Sequence, residues 1–336
     1  MKRATSATLA LILTATTFAA AQTPNSIRYS NTTPAAPTGA ANVQWQNDNS
    51  SPTTNISAYA LYPTLQVACP TSGDLGAPIN AALAALPAAT GGTVDARRCS
   101  AATTITAPIT FTLPHTALLL PCATLTTAQT ITVAATAHNS LIAGCAYSAG
   151  SPVSGSSAGS LISYTGSTAA LVVGDPTHTN YTNGLVLQNL GVSLINAGSA
   201  ATALQLYAVE RYKLDSLYIS GNNTATQTGI FIDGTGWYSS GLAEAVTMQD
   251  IGTGYTLTGH LLGGTRNDYV NFSTFISNQI WCADNSGTPI GGTTGIVDNQ
   301  SYGNIWIGGG LFRCSTPNNT TASATPATGL GFYVYP

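Results

Sequence analysis

Twelve Asp and Glu side chains are spread over 336 residues, few enough to ask of each what its position allows. Cleaving a glycosidic bond by hydrolysis takes two carboxylates flanking it, one as acid and one as base or nucleophile. Glu210, Glu244 and Asp268 each stand four residues before an aliphatic or aromatic position that recurs along the chain, Leu214, Met248 and Phe272, with Asn183 and Ser301 at the equivalent place of neighbouring copies. If the copies stack at ~4.8 Å, the three acids form a column close to the ~5 to 5.5 Å separation of a retaining pair. Like charges that near would raise at least one pKa, as a general acid requires. The same positions also suit a solvated turn in which Glu210 pairs with Arg211 and Asp268 with Arg266.

Two longer connections mark a second lead. Asp233-Gly-Thr-Gly-Trp-Tyr-Ser-Ser-Gly and Asp284-Asn-Ser-Gly-Thr-Pro-Ile-Gly-Gly-Thr extend the turns between copies, and extra loops on one face of a solenoid are where binding usually resides. Asp233, Trp237 and Tyr238, with Arg211 and Arg266, are the candidate substrate contacts, the aromatic rings offering a platform for the apolar face of a sugar. Trp237 would equally serve to pack its loop onto its own coil.

The elements that must carry these residues are β-strands. Charged residues are 6% of the chain against about 25% in an ordinary domain, replaced by Thr, Ser, Asn, Gln and 34 Gly, which argues against helices with salt-bridged surfaces. Leu187-Gln-Asn-Leu-Gly-Val, Leu214-Asp-Ser-Leu-Tyr-Ile, Met248-Gln-Asp-Ile, Phe272-Ser-Thr-Phe-Ile and Ile305-Trp-Ile recur at steps of 27, 34, 24 and 33 residues. A second run accompanies them: Ala203-Leu-Gln-Leu-Tyr, Gly229-Ile-Phe-Ile-Asp, Gly254-Tyr-Thr-Leu-Thr and Gly295-Ile-Val-Asp. A unit that cannot bury its own apolar face, repeated and stacked, is a solenoid. With no room for a helix in each unit, the expected fold is all-β, a parallel β-helix; a β-sandwich would lack the register between copies. Leu187, Leu214, Met248, Phe272 and Ile305 should form one core column.

Lys2 and Arg3, an apolar stretch to Phe18, and Ala19-Ala20-Ala21 have the layout of a secretory signal peptide over residues 1–21. Residues 22–68 read as a Pro/Asn/Thr-rich leader, and 69–336 as the β-helix domain. The remaining seven basic and twelve acidic groups leave a net charge near −5 with no Lys/Arg cluster, so nucleic acid is not an expected partner and the mature chain is not expected to insert in a membrane. Six cysteines in an exported chain imply disulfides. Cys122 with Cys145 on adjacent coils, Cys282 with Cys314, and Cys69 with Cys99, tying the cap to the first coil, are the expected pairs. No C-x-x-C pair or ligand-spaced histidine supports zinc. Asp74 can cap a helix over Leu75 to Leu86 that presents Ile79, Leu83 and Leu86 on one side.

Gly73-Asp-Leu-Gly-Ala-Pro-Ile-Asn-Ala-Ala-Leu-Ala-Ala-Leu-Pro followed by Gly91-Gly-Thr-Val-Asp-Ala resembles the capping helix and first strand of the pectate-lyase-like superfamily, with Leu118-Leu-Leu-Pro, Leu141-Ile-Ala-Gly and Leu185-Val-Leu-Gln-Asn-Leu-Gly-Val matching its coils. The resemblance covers residues 69–336 and implies a single-stranded right-handed parallel β-helix with an N-terminal capping α-helix. The superfamily holds lyases, hydrolases, epimerases, tailspikes and non-catalytic adhesins, so it leaves function open. Its lyases use calcium held by acidic side chains and a basic residue that removes the proton next to a uronate carboxyl; calcium would be the one cofactor on that branch and none is otherwise expected. Its hydrolase signature, with a paired Asp-Asp, Gly-His-Gly and Arg-Ile-Lys, is not matched, because Gly259-His260 continues as Leu261 and Arg211-Tyr212-Lys213 precedes His260. Two functions follow as expectations. One is an exported enzyme acting on extracellular polysaccharide through Glu210, Glu244 and Asp268, and the other is a non-catalytic surface or adhesive β-helix. Thr328-Gly-Leu-Gly-Phe-Tyr-Val-Tyr-Pro336 reads as the opening of another coil, with self-association through it the expected partner contact besides glycan.

Overall fold

The structure is a computed structural model that describes residues 63–335 apart from 102, 146–158, 223, 225, 236–238, 259, 263–265, 269, 271–272, 283–290, 300–303 and 322–332. The expectations for the signal peptide, most of the leader, Trp237, Tyr238, Phe272 and Ser301 therefore lie outside the described residues. Of Arg266 and Asp268 only the backbone is described.

The strands form two large parallel sheets, of sixteen and eight strands, and a small antiparallel hairpin. Successive turns of the chain visit the larger sheet twice and the smaller once, which makes a parallel β-helix with three faces. Strand Thr182–Ser193 shows how two of the faces are made from one run of sequence. Its first half pairs with Ser140–Ala143 and its second half with Ser160–Tyr164, and between them Asn189 takes a φ of 55°. A single left-handed residue turns the chain without ending the ladder on either side. Val209–Ser220 repeats the bend at Ser216 (φ 54°). In later coils the bend is completed, as Ser240–Glu244 then Thr247–Gln249, Thr274–Ile276 then Gln279–Trp281, and Ile305–Ile307 then Gly310–Phe312, with Ala245, Ser277 and Gly308 at φ 52°, 53° and 62°. We call these faces one and two. Face three runs through Thr202–Tyr207, Thr228–Asp233, Thr253–Thr258 and Thr294–Asn299 to Thr316–Thr321.

The second recurring run holds its expected register: Leu204, Ile230, Tyr255 and Ile296 are successive partners on face three and all are buried. The first holds for one step only. Leu187 stacks on Leu214, but the column continues through Ala243, Phe275 and Trp306. Met248 belongs to a separate column on face two, Val192–Ile219–Met248–Ile280–Leu311, and Ile305 pairs with Thr274 and is 42% exposed. The correction has a physical reason. Leu187-Gln-Asn-Leu and Met248-Gln-Asp-Ile are both strand residues followed by a left-handed corner, Asn189 (φ 55°) and Asp250 (φ 56°), but the first corner joins faces one and two while the second ends face two.

The helix spans Gly76–Ala84 and buries Ile79 and Leu83, with Leu86 packed beside them. Asp74 accepts the N–H groups of Gly76 (2.9 Å) and Ala77 (3.0 Å), as expected of the capping residue, and also that of Thr106 (2.7 Å) on the coil beneath. Burial opposes its charge, yet these backbone bonds hold its carboxyl below the usual range. Strand Thr64–Gln66, inside the segment read as leader, pairs in parallel with Gly92–Asp95. All three expected disulfides are present, with Cα separations of 4.9, 5.5 and 4.7 Å for Cys69–Cys99, Cys122–Cys145 and Cys282–Cys314, inside the ~7 Å limit. Tyr333–Tyr335 joins Gly310–Phe312 on face two; residues 328–332 of the expected further strand lie outside the described residues.

Candidate functional site

The shifted register rearranges the acids. Glu210 pairs with Asn183 above, as expected, but with Ser240 below. Glu244 stacks on Asp215, not on Glu210. Asp268 lies in the antiparallel hairpin opposite His260. Glu210, Glu244 and Asp268 thus occupy three different places, and the expected catalytic column does not form. Counting back from Met248, a face-two residue, as if it were equivalent to Leu214 on face one is what misplaced Glu244.

What the sheet does bring together is Asp215, Glu244 and Lys213. Tyr212 and Leu214 point inward and are buried, so the period-two alternation of a strand turns Lys213 and Asp215 outward on face one. Lys213 Nζ lies 2.9 Å from Asp215 Oδ2, and the Ser216 hydroxyl donates to Asp215 Oδ1 at 2.8 Å. Glu244 is the partner of Asp215 on the next coil, one ~4.8 Å step away. The hydrogen bond from Lys213, with a smaller part from Ser216, lowers the Asp215 pKa against the opposing effect of burial. Lys213 is raised first by its bond to Asp215 and last by the charge of Glu244. The pair was missed because Asp215 fell outside the misaligned column, although the Lys-x-Asp spacing on a strand already puts both side chains on one side.

A second cluster forms where face three passes into face one. The strands Ala169–Gly174, Thr202–Tyr207 and Thr228–Asp233 end side by side here, the middle one at a one-residue corner at Ala208 (φ 51°) and the first leading into the connection 175–181. Asp175 anchors that connection by accepting the N–H and hydroxyl groups of Thr177 and Thr179. His178 from that connection reaches across the corner to Asp233, Nε2 to Oδ2 3.6 Å, and its ring meets Tyr207 edge-on at 5.7 Å. Asp233, a candidate substrate contact, is only 8% exposed and accepts the Thr235 N–H at 2.8 Å. Burial and the charge of Asp233 raise the Tyr207 phenol. His178 and Tyr207 carried no sequence signal, since a loop contact two coils away has no period. Arg211, at φ 57°, is exposed one residue after Glu210, inside strand Val209–Ser220 where the pairing with the next coil shifts register.

Buried amides staple the corners. Asn278 Oδ1 accepts the Val246 N–H (3.0 Å) and its Nδ2 donates to Ala243 C=O (3.2 Å). Asn304 does the same for Ser273 N–H and Val270 C=O, and Gln227 spans Asn222 N–H and Leu194 C=O. They satisfy backbone groups that leave the ladder where the chain turns.

Among the described residues no helix is long and apolar enough to cross a membrane. No family model, curated protein or solved structure matches this chain.

Proposed function

We propose that this protein is an extracellular β-helix of the pectate-lyase-like kind that binds polysaccharide along its outer faces without cleaving it. The observation that carries this reading is the Lys213–Asp215 ion pair beside Glu244. Hydrolysis needs one carboxyl that keeps its proton near neutral pH. Asp215 is held ionised by Lys213 and so is not the proton donor, and Lys213, held as an ammonium, is not a base for elimination. Three disulfides are compatible with an extracellular setting. One cation beside two acids gives face one no surplus of positive charge, so a neutral glycan is favoured over a polyuronate unless calcium bridges the carboxylates.

The test pairs binding with cleavage. Native gels cast with hydroxyethyl cellulose, galactomannan or polygalacturonate, with calcium or EDTA, should show retardation in a neutral glycan. Incubation with each should release no reducing ends and no unsaturated uronide. Product formation abolished by Glu244→Gln would overturn the non-catalytic reading.

A further inference from the structure

Three of the five most exposed large apolar side chains among the described residues, Trp281, Ile305 and Ile307, lie on strands Gln279–Trp281 and Ile305–Ile307. Trp281 differs from the two isoleucines in being part of a built surface. It is 38% exposed, and its ring stacks on Phe312 of the next coil with centroids 4.0 Å apart and planes 11° from parallel. Phe312 in turn leans across Gly310. A Cβ at Gly310 would stand 2.7 Å from both Cε2 and Cζ of the phenyl ring, so the absent side chain is what lets the ring lie there. Ile280 and Leu311, between these residues and their neighbours, are buried, which confirms that Trp281 and Phe312 face outward.

We propose that Trp281 and Phe312 form a docking platform on face two for a neutral glycan, an inference that rests on the glycan-binding reading above and gives it a place. The platform sits among groups that hydrogen-bond without charge. Gln249 precedes Trp281 in the same outward column, and Thr247, Gln279 and Gly310 make up the adjacent one. The Tyr218 hydroxyl donates to Gln249 Oε1 at 2.8 Å. Among the described residues of these strands and their ends, charges stand at the margin, one of each sign: Asp250, buried, follows Gln249, and Arg313, exposed, follows Phe312. The strands Thr247–Gln249, Gln279–Trp281 and Gly310–Phe312 carry no charged side chain for an ionic ligand, whereas a pyranose offers an apolar ring face and flanking hydroxyls that suit aromatic edges beside amides. A protein partner fits poorly. One indole and one phenyl present a few hundred Å² at most, against the ~800 Å² per partner of a standard interface.

Affinity electrophoresis in hydroxyethyl cellulose and in galactomannan tests the site, using the full chain and the variants Trp281→Ala, Gly310→Ala, Trp237→Ala and Glu244→Gln, each checked for an unchanged urea midpoint. The expected result is retardation of the wild type that weakens about tenfold in apparent affinity in W281A, and several-fold in G310A, where the indole is kept and only the phenyl ring is displaced. Gly310→Ala also serves if W281A does not fold. Wild-type retardation that survives both W281A and G310A but is lost in W237A or E244Q overturns the platform and leaves the glycan-binding reading standing. No retardation of the wild type in either glycan overturns both. Concentration-dependent dimerisation lost in W281A would show that the rings serve association between copies instead.

Discussion

Replacing Asn278 by Ala isolates the contribution of a corner staple, and with it the corrected register on which the site rests. Asn278 is 4% exposed. Its amide satisfies one backbone donor, Val246 N–H, and one acceptor, Ala243 C=O. Ala243 lies on the strand where Glu244 meets Asp215, and Val246 lies in the corner that follows it. Removing the amide leaves the buried Val246 N–H unpaired and takes a side-chain donor from Ala243 C=O, a ladder residue, so the expected loss is roughly 1–3 kcal/mol. Asn80 is the control. Its side chain makes the same two kinds of bond, donating to Pro108 C=O (2.7 Å) and accepting from Thr110 N–H (3.4 Å), but at the surface. Water can replace it there, and Asn80→Ala should cost no more than about 1 kcal/mol. Urea unfolding gives the difference. Because coils of a solenoid can open locally, amide exchange of the segment 243–250 supplies a second readout, with Val246 losing protection in N278A. Equal costs for the two variants, or an unchanged Val246 exchange rate, would refute the claim that buried amides close these corners.

Asp95, held down to about 2 first by its hydrogen bond from Arg97 and helped by Gln66, should stabilise the fold fully above pH ~4, its contribution fading as the pH falls through about 2. Discounted for the exposed Arg97 partner, the effect is about 1 kcal/mol, read as a flatter acid limb of the stability curve in Asp95→Asn. The double variant C282S/C314S opens a loop of 32 residues and should lose about 3–4 kcal/mol; an unchanged urea midpoint would show that this bridge does not restrain the last coils. Burial raises the phenols of Tyr212 and Tyr255, so a spectrophotometric titration to pH 11 should leave both protonated until the chain unfolds. Ionisation of all fifteen tyrosines in a folded protein at that pH would contradict the packing.

Local signals carried furthest from sequence to structure. Asp74 caps the helix because its bonds to Gly76 and Ala77 span two and three residues, a distance the sequence states directly. The cysteine pairs were readable because each joins adjacent coils. The face-three register was readable because Gly229-Ile-Phe-Ile, Gly254-Tyr-Thr-Leu and Gly295-Ile-Val enter one face at one corner. Faces one and two were harder. A left-handed Asn, Asp or Ser looks the same at either end of a strand, so Met248-Gln-Asp-Ile reads as a copy of Leu187-Gln-Asn-Leu. A strand shifted from one face to the next moves every side chain that follows, which is how Glu244 came to be matched with Glu210 when it stacks on Asp215. His178–Asp233 depends on the path of a loop between coils, and nothing in its spacing announces it.

The stacked sheet also explains why acids on this fold need not become catalysts. Each outward column repeats one side chain per coil at ~4.8 Å, a spacing that by itself would push one of two neighbouring carboxyls toward protonation. Lys213 offsets that repulsion at Asp215. It lies two residues from Asp215 on the same strand, its ammonium 2.9 Å from the carboxylate, and its charge is further favoured by Glu244. An acidic step beside a lysine on the same outward face is therefore an electrostatic clamp for a surface, whereas the same step without the lysine would be the beginning of an acid–base pair. Lys213→Ala distinguishes the two. With its main stabilising partner gone, Asp215 should titrate at higher pH, visible as a shifted carboxyl resonance in its NMR titration, and the protein should still release no reducing ends from a neutral glycan. New hydrolytic activity in that variant would mean that the scaffold holds a competent carboxylate pair and that Lys213 alone keeps it silent.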